Sequence, residues 1–299
     1  MHRLALAAAG IALVSVSASA QQNAGRDDSS FLWSKQLPAG STVTIRSGNG
    51  PIDVRESPND RVEVRATKRP RGRSSIRDVS FDVREASPGA EGETRICVVY
   101  DGSSLCDENR GNRNRDVNVR VDFTVLIPRS MRLRLTTGNG EISIDKAGAD
   151  VLASTGNGRV SIGETTGSVE VSTGNGDVQV EAASGPVRVS TGNGQVFIAT
   201  SSGPVWATSG NGDVIARMKT LSRESSMNFT TGSGSVRVTL PADFNGTIDA
   251  STGNGSLNSE FEISIMGRLD PRHLRGTIGK GGPTLRLQTG NGNVELRKG

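Results

Sequence analysis

The chain has 299 residues, with 35 Lys and Arg against 31 Asp and Glu and a net charge of +4. A balance so near neutral gives no ground for a nucleic-acid partner. Aromatic residues make up 3% of the chain and glycine occupies 38 positions, which excludes a thick globular core and points to a thin one built from Val, Ile and Ala.

Residues 1–20 have the three parts of a secretory signal peptide. Met1-His2-Arg3 is a short basic start, Leu4 to Val16 is apolar, and Ala18-Ser19-Ala20 is an A-x-A site that places cleavage between Ala20 and Gln21. The apolar run is short for a bilayer span, Gln21 is not the Cys of a lipid anchor, and no other run is long enough to cross. The mature protein is therefore expected outside the cytoplasm, in the periplasm, secreted or at the cell surface, with no transmembrane segment. Residues 21–40 read as an N-terminal linker.

Residues 41–130 read as a first coil followed by antiparallel strands and Arg-rich loops. The coil is signalled by Ser47-Gly48-Asn49-Gly50 between Val43-Thr44-Ile45 and Ile52-Asp53-Val54; longer alternations follow at 79–83, 95–100 and 117–127. Cys97 and Cys106 are the only cysteines. In an oxidising compartment they are expected to form a disulfide, with a stabilisation of about 2–3 kcal/mol by loop entropy. A metal pair would need further ligands, and His273 is the only histidine left after cleavage. No metal or cofactor is expected.

Residues 131–299 carry the dominant signal. Gly-Asn-Gly turns place Asn139, Asn157, Asn175, Asn193 and Asn211 at a constant interval of 18 residues, with a second turn at each half-period (Gly167-Ser168, Gly185-Pro186, Gly203-Pro204). Each turn precedes apolar residues at i and i+2, such as Val178/Val180 and Val187/Val189, which share one face of a strand. The runs are too short and too β-branched for helices. The reading is all-β: a β-solenoid of about 18-residue coils, two short strands per coil, stacked about 4.8 Å apart, with an irregular antiparallel β region near the N-terminus. Stacking puts each residue above its equivalent, so the Asn column predicts an amide ladder. Parity turns the column Thr137, Thr155, Thr173, Thr191, Ser209 inward, where hydroxyls satisfy corner backbone. The same columns recur at 227–234, 248–255 and 285–292, and the longer intervals predict loop insertions at 218–226 and 259–282.

Three segments, "SKQLPAGSTVTIRSGNGPIDVRESPNDRVEVRATKR", "VDFTVLIPRSMRLRLTTGNGEISI" and "RGTIGKGGPTLRLQTGNGNVELR", resemble the bacterial "putative adhesin" domain family of unknown function over roughly residues 34–299. The resemblance implies an exported β-solenoid and brings no catalytic or ligand residues with it.

Asp177 and Asp213 lie two coils apart, roughly 10 Å, beyond the usual spacing of a glycosidase pair, and read as a solvated charged face. The repeat is not a calcium roll, because Val178 and its equivalents occupy the ligand position. "GTIGKGG" at 276–282 lacks the rest of a phosphate-binding loop. The exposed faces hold three breaks in the small polar pattern: Phe197 and Ile215 in one column, and Trp206 on the other face above Arg188. Either the two long insertions cover them, or they are contacts for an envelope glycan or a surface protein. The function expected is non-enzymatic binding or scaffolding at the bacterial cell envelope. A polysaccharide-cleaving enzyme on the same scaffold and a purely structural envelope protein stand as alternatives, and no oligomeric state is assigned.

Overall fold

A computed structural model describes residues 28–87, 92–100, 102–107, 117–200, 202–220, 226–265 and 270–299. The expected signal peptide, with its Ala20–Gln21 junction, lies outside the described residues, as does most of the 218–226 insertion. The described residues form a 12-stranded and a 14-stranded sheet. Each coil gives one strand to each. In one repeat, Val169–Asn175 runs in the larger sheet, Val178–Ala183 in the smaller, and Val187–Asn193 returns to the larger. The side chains of Val169, Val171, Val178, Val180, Val187 and Val189 all point between the sheets and are buried. Alternation and β-branching are what the sequence supplies, and a two-sided narrow core is what they produce.

Stacking is parallel and in register at the predicted interval: Val169 pairs with Val187, Thr173 with Thr191, Asn175 with Asn193. Each Asn Nδ2 donates to the Oδ1 of the coil beneath, from Asn211 through Asn193, Asn175, Asn157 and Asn139 down to Asn49, at 2.7–2.8 Å. The inward hydroxyls donate to the corner carbonyl of the neighbouring coil, Thr191 Oγ1 to Gly176 O at 3.0 Å and Ser209 Oγ to Gly194 O at 2.9 Å. The hydroxyls, themselves buried, thereby supply donors to the corner carbonyls. The glycines are required by contact. A Cβ on Gly194, whose φ is 151°, would lie 2.1 Å from Gly176 O, and one on Gly185 would lie 2.3 Å from Gly167 O.

Stacking order departs from chain order at both ends. The first coil, Thr42–Asn49 with Ile52–Glu56, lies inside the stack, two strands from the end of the larger sheet and three from the end of the smaller. It is held between the coil of Arg132–Asn139 with Ile142–Ala147 on one side and strands Glu93–Tyr100 and Val119–Ile127 on the other. The last coil, Thr284–Asn291 with Val294–Lys298, is also internal, three strands from the end of the larger sheet and one from the end of the smaller. It is inserted between Met227–Ser233 with Val236–Leu240 and Gly246–Asn254 with Leu257–Ser259.

Two expectations need correction. The proposed linker 21–40 contains a strand, Ser30–Lys35, antiparallel to Val62–Pro70 at the edge of the smaller sheet. Phe31 and Trp33 alternate inward there. Phe31 stacks on Phe81 at 4.4 Å, and Trp33 Nε1 donates to Glu85 Oε1 at 2.9 Å, joining the last layers of the two sheets. The 259–282 insertion is also more than a bulging loop. Its strands Ile263–Ile265 and His273–Ile278 extend the larger sheet antiparallel to Gly246–Asn254. No break in either sheet falls at residue 130, since Asn49 and Asn139 are register partners. The antiparallel strands near the N-terminus are as expected.

Candidate binding faces of the solenoid

The outer faces are set by the same parity that builds the core. Val196 and Ile198 are buried, so Phe197 between them points out; Val205 and Ala207 do the same for Trp206, and Val214 and Ala216 for Ile215. Phe197 is a register partner of Gln179 on one side and Ile215 on the other, so these two apolar side chains sit together on the smaller sheet. Trp206 stands beside Arg188 on the larger sheet. The three therefore form two surfaces on opposite sides of the solenoid. All three are half-buried, and arginines lie over the rings: the Arg188 guanidinium is 5.0 Å from the Trp206 ring and that of Arg217 is 5.6 Å from the Phe197 ring.

Of the ten aromatic residues, Phe31, Trp33, Tyr100, Phe123, Phe229, Phe244 and Phe261 lie in the core, and Phe81 packs against it. Phe197 and Trp206 are the two that do not.

Charges on the faces follow a rule the sequence reading missed. Asp53 pairs with Arg55, Glu63 with Arg65, Asp82 with Arg84, Glu93 with Arg95, Asp122 with Arg120, and Glu295 with Arg297. Each partner is two residues away, on the same strand face. The spacing was visible in the sequence, but it reads as charge pairing only once the strands and their outward parity are fixed. The hydrogen bond from Arg237, with a second from Arg297, holds the Glu295 carboxyl at about 2. Asp249 gathers three basic side chains: His273 Nε2 at 3.0 Å, Arg275 at 3.3 Å and Arg286 at 3.4 Å. Burial pushes the Asp249 carboxyl up, but these partners outweigh it and hold it below the ordinary carboxylate range.

Asp177 and Asp213 have structural employment. Asp177 Oδ1 accepts the backbone N–H of Gln195 at 2.9 Å, and Asp213 Oδ1 that of Ser235 at 2.8 Å. Asp177 is further paired with Arg159 at 3.1 Å. Both cap corners of the next coil, which accounts for a carboxylate after the glycine turn without any reaction. The Cys97–Cys106 disulfide is formed. Residues 280–283 line an open cleft of about 620 Å³ with Lys219, Asp243 and Phe244. Among the described residues no group of three or more His, Cys, Asp or Glu is placed to hold a metal ion, and no helix is long and apolar enough to cross a membrane.

The model of the family described as Toastrack DUF4097 matches residues 41–297. The chain belongs to this family. The Toastrack match covers both the regular coils and the two ends where chain order and stacking order part, so the resemblance read from the turn and strand motifs over residues 34–299 holds for nearly all of that span. No curated protein matches the chain. Two solved structures are similar to it. One is a "putative adhesin" from Bacteroides fragilis, with 13% identity, covering 92% of this chain and 99% of its own, at a TM-score of 0.44. The other is a "putative cell adhesion protein" from Clostridium sporogenes, with 12% identity, covering 90% of this chain and 100% of its own, at a TM-score of 0.22.

Proposed function

We propose that this Toastrack solenoid is an exported, non-enzymatic binding rod of the bacterial cell envelope, with Phe197, Ile215 and Trp206 as contact residues for an envelope glycan or a surface protein. One observation carries the reading. In a chain that spends eight of its ten aromatics in or against the core, Phe197 and Trp206 stand on outer faces built mainly of polar and charged residues. Flat apolar rings beside guanidinium groups suit a sugar ring or a partner side chain. The disulfide favours an oxidising compartment, and the pattern of residues 1–20 supplies the export route.

The test is a pull-down from the envelope fraction with the mature protein, against Trp206→Ala and Phe197→Ala. Both variants are expected to lose captured partner while their melting temperatures stay nearly unchanged. A loss of several kcal/mol in stability on Trp206→Ala would instead make that ring part of the core. Turnover of anionic glycans, abolished by Asp177→Ala, would replace the binding reading with an enzymatic one. Intact mass of the exported protein is expected to show a chain beginning at Gln21.

A further inference from the structure

The smaller sheet repeats one charged device at both ends of its length. Asp53, Ser143, Ser161, Gln179, Phe197, Ile215, Arg237 and Glu295 are successive register partners in a single outward column. Two residues further along each strand runs a second column, in which Ala199, Arg217, Thr239 and Arg297 are successive partners. Where the second column holds Arg55 or Arg297, the first supplies an acid on the same strand, Asp53 or Glu295, and the two are paired. In the coil that carries Arg217, the acid's place is taken by Ile215. Arg217 is exposed, its column neighbours Ala199 and Thr239 are uncharged, and it has no carboxylate partner among the described residues. The nearby Arg237 shares the Glu295 carboxylate with Arg297, at 2.9 and 2.6 Å. The Arg217 guanidinium lies instead over the Phe197 ring, a contact that does not neutralise its charge.

We infer that the Phe197–Ile215–Arg217 face binds a carboxylate-bearing sugar of an anionic polysaccharide. The sugar's apolar face lies on Phe197 and Ile215, and its carboxylate takes the position beside Arg217 that Asp53 and Glu295 occupy beside their own arginines. A guanidinium–carboxylate pair formed against an apolar floor is stronger and more directional than one in open water. This names the ligand class for one of the two faces of the binding rod, and it rests on that reading.

The test uses the full mature chain and affinity electrophoresis in gels containing polygalacturonate or its carboxyl-reduced form. The wild type is expected to bind the native polymer about tenfold more tightly than the reduced one, the worth of one charge-assisted pair. Arg217→Gln should erase that difference. So should Ile215→Asp, which restores the internal acid and neutralises Arg217 from within; Ile215→Ala should keep it. Melting temperatures should be unchanged in all three. Retention of native polymer by Arg217→Gln or Ile215→Asp at the wild-type level overturns the inference. Equal wild-type retention of both polymers overturns the carboxylate and leaves the sugar contact. Binding to neither polymer, with envelope capture still dependent on Phe197, overturns the inference and leaves the rod. Loss of that dependence as well removes the binding reading itself.

Discussion

At the scale of single residues, the corner is where sequence and structure meet most tightly. Asn175 both donates to Asn157 and accepts from Asn193, so Asn175→Ala breaks two amide bonds in a ladder. It is expected to cost about 1–3 kcal/mol, whereas Gln179→Ala, on the outer face, should cost little; urea titration of the two variants compares them. Gly194→Ala should be worse than either, since its Cβ meets backbone of the coil beneath that cannot give way. The acid side of the stability curve has a direction. Glu295, held at about 2, and Asp249, also held low, ionise more readily folded than unfolded. Their contribution is complete above the ordinary carboxylate value of about 4.3 and is lost as pH falls towards 2. Glu295→Gln should therefore flatten the fall in melting temperature across that window and lower the melting temperature at neutral pH. The Asn, Thr and Gly columns were legible from the sequence because one spacing generates them all. The Asp249 cluster was not, because Asp249, His273, Arg275 and Arg286 come together only through strands 259–282 and the inserted last coil.

At the scale of elements, the coil is a unit whose two strands are too short to stand alone; it is stabilised by the coils on either side. The period of 18 and the inward pairs fixed its strands, corners and register in advance. Strand Ser30–Lys35 was missed although Phe31 and Trp33 alternate around Leu32, because it has no glycine turn and joins the sheet antiparallel, outside the repeat. The disulfide ties strand Glu93–Tyr100 to the following turn, in the part of the molecule where the repeat gives no help. Replacing both cysteines by alanine is expected to lower stability by about 2–3 kcal/mol, read as a shift in the denaturant midpoint. Thr191→Val should cost about 1 kcal/mol, since Gly176 O then loses a hydroxyl donor.

At the scale of the whole molecule, nearest-neighbour stacking makes stability local, and a plain solenoid frays from its last coil inward. Here the outermost layers are short or antiparallel strands: Ser30–Lys35, Val79–Arg84, Leu257–Ser259 and Ile263–Ile265, which limit the edge offered to other chains. Sequence periodicity could not give this arrangement, because equivalent coils carry equivalent columns and so match any neighbour. Ser233 offers Asn254 the same corner register as Asn291 does, though without the amide partner. Deleting residues 284–299 should raise hydrogen exchange throughout 246–278 while 151–198 keeps its protection. The first and last full coils thus behave like a hem. The cloth is turned back on itself at each border and stitched down, so the raw edge never lies at the margin. Residues 294–296 have strand partners on both flanks, and a molecule without this coil has its border unsewn, with Gly246–Asn254 stripped of its parallel neighbour.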